Sequence, residues 1–287
     1  MAPISTALPA DNILFFCFGA PKSGTTFLQR TLNLHPDISC PSEHQFSHII
    51  QGLEKMLRDY QGILEAVDRR TGGQGVPPLE KETAAVIVRF TVEMLIRQAA
   101  RHGERIIGAN DNAIRRNLKL FDELFDHPKM IHIFRNPLDM AVSAWHHNRR
   151  LAKEENDPAH EKYMMQYGGF DGWVRQCANW FAADVAAWRT FAARRKNVVH
   201  IRYEDLVADK RNTLVKLLDF LGAEYDDVLL DMIERESSLE RMRERSARPA
   251  FFRRGAMDMG GAEVSTALRR DVARIAADAL AYLGYTI

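Results

Sequence analysis

The sequence predicts an α/β fold: a single domain with a central, mainly parallel sheet flanked by helices. Three observations predict it. Residues 13–18, Ile-Leu-Phe-Phe-Cys-Phe, are continuously apolar, as strands buried on both faces are. A glycine-rich turn with one lysine and two threonines, Gly19 to Thr26, follows at once and opens a helical pattern. Further short apolar runs then alternate with longer helical stretches to the end of the chain. At 287 residues the chain can bury a substantial core, and the domain is placed at 10–287.

The elements follow in order. The first strand enters a helix that starts at about Thr25 and is stopped by His35-Pro36-Asp37. Residues 38–40 form a short second strand. Ile49, Ile50, Leu53 and Met56, then Val86, Phe90, Met94 and Leu95, recur at helical spacing and predict helices over 47–70 and 80–102. The Gly-Gly-Gln-Gly-Val-Pro-Pro stretch at 72–78 parts them as a loop. Strands are expected at 105–108 and 130–134, the second ended by Arg135-Asn136-Pro137. Pro137 suits the first turn of a helix over 138–150, where a missing N–H is harmless. Residues 151–169 are polar and read as an irregular, mobile insertion. A helix over 173–193, a strand over 198–202 and helices over 210–221 and 224–236 come next. Residues 243–262 are rich in arginine and glycine, with few signs of regular structure, and a helix over 263–283 closes the chain.

Composition bounds the function. Hydrophobic residues make up 46% and charged residues 27%, an ordinary balance for a globular protein. The formal net charge is +1, so no global field attracts nucleic acid or an anionic membrane, and any anion site must be local. Cys17, Cys40 and Cys177 are odd in number and lack metal-ligand spacing, which suits buried thiols in a reducing compartment. Residues 1–12 do not read as a secretory signal, and no apolar run approaches the ~20 residues of a membrane helix. The expectation is a cytoplasmic protein without a nucleic-acid partner, its oligomeric state open with a homodimer as one form.

Strand, tight turn and helix start form an anion cradle, because turn amides, helix N-terminus and macrodipole point at one spot. A nucleoside-triphosphate loop reads G-x-x-x-x-G-K-[ST]. Gly19 and Gly24 have that spacing, yet Thr25 stands in the lysine's place and Lys22 lies inside the loop. The site is therefore P-loop-like without the usual ATP or GTP arrangement. A second constellation is Arg135 with Ser143, where a strand-end guanidinium and a helix hydroxyl can meet on one phosphate. A third is the arginine run at 241–254, beside Gly255 and Gly260-Gly261. Each alone also describes an ordinary turn, cap or solvated face.

Together these segments resemble the sulfotransferase family that uses 3′-phosphoadenosine 5′-phosphosulfate. Pro21-Lys22-Ser23-Gly24-Thr25-Thr26 is similar to its 5′-phosphosulfate loop, and Arg135-Asn136-Pro137 through Ser143 to its 3′-phosphate motif. Residues 201–206, Ile-Arg-Tyr-Glu-Asp-Leu, resemble its strand-end tyrosine segment. Ser237-Ser238-Leu239 with Met242 resembles an adenine-side segment in which Leu239 replaces the more usual aromatic. Arg253-Arg254-Gly255 resembles the loop that closes over the 3′-phosphate. The matches run in family order from about 14 to 255.

The resemblance implies roles. Lys22, Ser23, Gly24, Thr25 and Thr26 would hold the 5′-phosphate and its sulfuryl group. Phe27 stands where cytosolic members carry a tryptophan beside the adenine. Arg135 and Ser143 would bind the 3′-phosphate with Arg253, Arg254 and Gly255, and Tyr203, Ser237 and Leu239 would face the adenine. The cytosolic branch draws its base from a Lys-Thr-His segment, but Gly108-Ala109-Asn110-Asp111-Asn112 has no histidine. The carbohydrate branch uses a glutamate after the first helix, and Pro41-Ser42-Glu43-His44-Gln45-Phe46 is similar to that segment with its histidine shifted by one. Glu43 is the expected base, with His44 and Asp111 as alternatives and His48 beyond the matched segment. No metal is expected, since a sulfuryl group carries less charge than a phosphoryl group. The expected function is sulfuryl transfer to a hydroxyl or amine of a small, partly hydrophobic acceptor, giving adenosine 3′,5′-bisphosphate as product. Segments 47–104 and 146–180 are expected to line or cover the acceptor. A nucleotide-dependent kinase and a non-catalytic nucleotide-binding regulator are the competing readings.

Overall fold

The central strand comes first in the chain. In the computed structural model, which describes residues 12–41, 45–77, 79–100, 103–245 and 263–287, β1 (Ile13–Gly19) lies between β3 (Ile106–Asn110) and β4 (Lys129–Phe134). β2 (Ile38–Ser39) and β5 (Val198–Arg202) form the edges. The order is β2-β3-β1-β4-β5 and every pairing is parallel. The all-apolar run of β1 is explained by this position. Phe16 and Phe18 enter one core while Phe15 and Cys17 enter the other, all at 0% exposure.

Helices cover both faces. On the Phe16 side pack α2 (Phe46–Thr71), α3 (Lys81–Ala99), α4 (Leu118–Leu124), α7 (Gly169–Ala192) and α13 (Ala277–Leu283). On the Phe15 side pack α1 (Thr25–Leu32), α8 (Tyr203–Ala208), α9 (Lys210–Leu221), α10 (Asp227–Glu236) and α11 (Leu239–Glu244). A third cluster joins α5 (Pro137–Glu154), α6 (Ala159–Met165) and α12 (Thr266–Ile275) to α7 around Trp145, Met164, Trp173 and Leu268. The chain leaves β1 for β2 and β3 on one side, then returns to β4 and β5 on the other. The strand order switches direction at β1, and in open α/β sheets such a switch places the ligand crevice at the carboxyl ends of the strands, here β3, β1 and β4.

Several expectations are corrected. Residues 151–169 are largely helical: α5 runs on to Glu154 and α6 follows, because Met164 is fully buried and Tyr163 and Tyr167 pack against Trp173. The helices at 47–70 and 80–102 are present, and of the residues expected on their inner faces Ile50, Leu53 and Leu95 pack in or against the core. Ile50 from α2 and Val88, Val92 and Ile96 from α3 join the core cluster, Leu57 and Leu64 are buried outside it, and Met56 and Val86 are exposed. Adjacent helical residues lie about 100° apart, so Met56 stays exposed on α2 while its neighbour Leu57 is buried. The closing helix is two helices, since buried Ala276 leaves helical geometry at φ −106, ψ 18. Helices α8 and α11 were missed for being one to two turns long. Residues 246–262 lie outside the described residues.

Candidate active site

β1 delivers the loop into the crevice. Ser23 N–H donates to Ala20 O at 3.0 Å and closes the turn, with Lys22 at φ 73 and Gly24 at φ 102. The glycines are sterically required. A Cβ on Gly19 would lie 2.3 Å from Ser23 Oγ and 2.5 Å from Ile133 O; one on Gly24 would lie 2.4 Å from Tyr203 Cδ2. The loop is thus wedged between β4 and Tyr203. Thr25 and Thr26 begin α1, and the first-turn amides of a helix have no acceptor inside it. Ser23 is buried, and its Oγ has no hydrogen-bond partner among the described residues.

Arg135 ends β4 beside this loop. Its Nη1 donates to Lys22 O at 3.2 Å, and its guanidinium lies 4.6 Å from the centre of the Tyr203 ring. The residue is 8% exposed, yet its Nε has no partner among the described residues. A buried guanidinium N–H and a buried hydroxyl left unpaired on adjoining elements suit an anion. The turn after Arg135 is well fixed. Asn136 Oδ1 accepts from Leu138 N at 2.9 Å and caps α5, with Pro137 in its first turn. Glu204 accepts from Asn136 N at 2.9 Å and from the Tyr285 hydroxyl at 2.8 Å. Burial, then the Glu204 charge and hydrogen bond, push the Tyr285 hydroxyl far above its ordinary range, so it stays a donor. Ser143 follows half-buried on α5.

Of the residues expected near adenine, Phe27 and Leu239 share an apolar cluster with Tyr203. Tyr203 begins α8 and is 6% exposed; burial raises its pKa and the Arg135 charge opposes the rise. Phe27 packs edge-on against it at 5.9 Å and is itself buried, so it reaches the site by supporting Tyr203. Ser237 is fully buried at the end of α10, and Leu239 packs into the same apolar cluster as Phe27, Tyr203 and Met242.

Asp111 is committed to the backbone. Its Oδ1 accepts from Ala113 N at 2.8 Å and its Oδ2 from Phe46 N at 2.7 Å, tying the end of β3 to the 3-10 turn Asn112–Arg116 and to α2. Asn110 N donates to Pro41 O at 3.0 Å. Both flanks of the 42–44 segment are therefore held at the end of β3, while Glu43 and His44 themselves lie outside the described residues, as do Arg253, Arg254 and Gly255. His48 is exposed on α2.

His147 was missed by sequence reading. It stands one turn beyond Ser143 on α5, and that i, i+4 spacing was the available signal. Arg150 Nη2 lies 3.1 Å from its Nδ1; a guanidinium can only donate, so Nδ1 accepts and Nε2 carries the proton. Burial, then the charges of Lys22, Arg150 and His160, lower its pKa to about 4. Among the described residues no group of three or more His, Cys, Asp or Glu could hold a metal ion. None of their helices is long and apolar enough to cross a membrane.

A switch-point crevice, a wedged glycine loop with an internal lysine and a buried arginine beside it define an anion-binding α/β protein of the phosphate-loop class. The model of the sulfotransferase family matches residues 15–227. The chain belongs to that family. It is 28% identical to the amine sulfotransferase of Oryctolagus cuniculus over 115 residues, which are 40% of this chain and 36% of that protein. It is 30% identical to the 3-alpha-hydroxysteroid sulfotransferase of Cavia porcellus over 129 residues, 44% of this chain and 43% of that protein. The matches span well under half the length of these curated relatives. The fold is shared with mouse sulfotransferase SULT7A1 complexed with PAP, at a TM-score of 0.57 and 18% identity over 94% of this chain and 84% of that one. It is shared too with a sulfotransferase from Alicyclobacillus acidocaldarius, at a TM-score of 0.52 and 17% identity over 98% of each chain.

Proposed function

We propose that this chain transfers a sulfuryl group from 3′-phosphoadenosine 5′-phosphosulfate to a hydroxyl or amine of a small acceptor. The observation that carries the reading is the contact of the Lys22 loop with Arg135, whose Nη1 donates to Lys22 O, while Arg135 Nε and Ser23 Oγ are both buried without a partner among the described residues. Two anion-binding elements meeting at one crevice suit a ligand with phosphates at two ends of a ribose. Family membership and the bound product named for the mouse neighbour support it.

The donor supplies an activated sulfuryl group. Lys22, Ser23, Thr25, Thr26 and the Gly24 amide would hold its 5′-phosphate, and Arg135 and Ser143 its 3′-phosphate, joined by Arg253, Arg254 and Gly255. Phe27, Tyr203, Ser237 and Leu239 would form the adenine side. Lys22 would meet negative charge on the leaving 5′-phosphate oxygen, which is stabilisation by a preplaced cation. Glu43 would take the acceptor's proton; the supporting observation is that Asp111, the rival candidate, already accepts two backbone N–H groups. His147, neutral and carrying its proton on Nε2, is a donor in this site and not a base.

Calorimetric titration tests the reading. Adenosine 3′,5′-bisphosphate is expected to bind more tightly than ATP with magnesium, and labelled sulfate is expected to pass to at least one member of a phenol, alkanol and amine panel. Tighter ATP binding would overturn the donor assignment. Bisphosphate binding without turnover on any acceptor would leave a regulator.

A further inference from the structure

We propose that Lys210 is a positioning residue for the purine side of the donor site; this rests on the donor reading above. Lys210 opens α9, directly after the short helix that Tyr203 begins. Its Nζ donates to Ser237 O at 2.9 Å and to Glu234 O at 3.3 Å. Carbonyls in the last turn of a helix lack partners within it and form the negative end of its dipole, so an ammonium there satisfies both. The same Nζ lies 5.6 Å from the centre of the Phe27 ring, the ring that packs against Tyr203. One cation therefore joins the end of α10 to α1 and, through Phe27, to Tyr203.

The arrangement does more than end a helix. Helix ends are ordinarily satisfied by a glycine cap or by water, whereas here a half-buried lysine does it. Burial lowers its pKa, and the Glu234 charge offsets part of that cost. What the ammonium holds is the turn at Ser237 and Ser238. Ser237 is fully buried there, and Ser238 Oγ accepts from Arg241 N at 3.3 Å to start α11. That turn carries Leu239 and Met242 into the cluster with Phe27 and Tyr203. Lys210 thus sets the spacing between two walls, one from α1 and α8, the other from the α10–α11 turn. It touches neither the 5′-phosphate loop nor Arg135 among the described residues.

The consequence is selective: loss of Lys210 should weaken recognition of the base and spare recognition of the phosphates. Two probes separate these by calorimetry, adenosine 3′,5′-bisphosphate and the base-less 1-O-methylribose 3,5-bisphosphate. Lys210→Met is expected to weaken the first about tenfold, the scale of one charge-assisted hydrogen bond, and to change the second by less than about twofold. Lys210→Arg, which can still donate to both carbonyls, is expected to restore most of the loss. Lys210→Gln, with a neutral donor, should fall between them and serves where the methionine variant is too unstable to titrate. Equal weakening of both probes, no change in either, or an arginine variant no better than methionine would overturn the proposal. Failure of the unmodified protein to bind either probe would instead sink the donor reading itself, and the Lys210 role with it.

Discussion

Gly24→Ala probes how closely the loop and Tyr203 share space. Gly24 sits at φ 102, and a side chain in the left-handed half of the map costs about 1–2 kcal/mol. The new Cβ would lie 2.4 Å from Tyr203 Cδ2 and 3.0 Å from Cε2. The ring has little room to retreat, because Phe27 packs on it and the Arg135 guanidinium lies 4.6 Å from its centre. Displacing it gives up part of a desolvated cation–π contact of about 1–2 kcal/mol. The combined cost of about 2–4 kcal/mol is shared between folding and donor binding. If half falls on binding, affinity for adenosine 3′,5′-bisphosphate drops about 5- to 30-fold, at about 1.4 kcal/mol per tenfold. Calorimetry with thermal unfolding measures both shares. A double-mutant cycle with Tyr203→Ala isolates the clash, and a coupling of about 1 kcal/mol or more is expected. A Gly24→Ala protein with unaltered affinity and melting temperature, or strict additivity in the cycle, would refute the reasoning.

Three further outcomes are expected. Lys22→Ala should lower kcat by about 10²- to 10³-fold, as removal of one transition-state donor does, while bisphosphate affinity in titration changes far less; a large loss of affinity with kcat intact would make Lys22 a binding group only. Asp111→Ala should lower unfolding free energy in urea by about 1–3 kcal/mol, since two backbone N–H groups lose their acceptor, and Asp111→Asn should keep transfer activity; a folded, inactive Asp111→Asn protein would shift the base role to Asp111. His147 has its folded pKa lowered to about 4, below the unfolded value near ~6.5. Between those values the unfolded chain binds more protons, so the contribution to stability present above about pH 6.5 is lost as pH falls toward 4. His147→Gln should flatten that part of the stability–pH curve and leave the kcat/KM profile above about pH 6 unchanged in shape; disappearance of a limb in that profile would show that His147 titrates during turnover.

Legibility differed by the range of the interaction. The β1 strand, the loop and the turn at Arg135-Asn136-Pro137 were readable because each is encoded within about ten residues: an apolar run, two glycines at fixed spacing, an N-cap followed by proline. The buried stripes of α2 and α3 were legible only in part. Met56 and Leu57 are adjacent and both apolar, and only tertiary packing decides that Leu57 is buried and Met56 exposed. The segment at 151–169 reads as irregular because its polar residues outnumber the few, Met164, Tyr163 and Tyr167, that anchor it. Asp111 is legible in the sequence as one of the candidate bases, but its hydrogen bonds from the Phe46 and Ala113 amides are set by the fold.

By itself the sequence determined the family and the fold class, since these depend on local residue patterns along one chain. Tertiary structure alone decided the partnerships. Arg135 reaches Lys22 O across 113 residues, Asp111 reaches Phe46 N across 65, and Lys210 clamps carbonyls 24 and 27 positions away. Such contacts arise where the sheet brings strand ends and helix termini together, and no spacing rule along the chain specifies them.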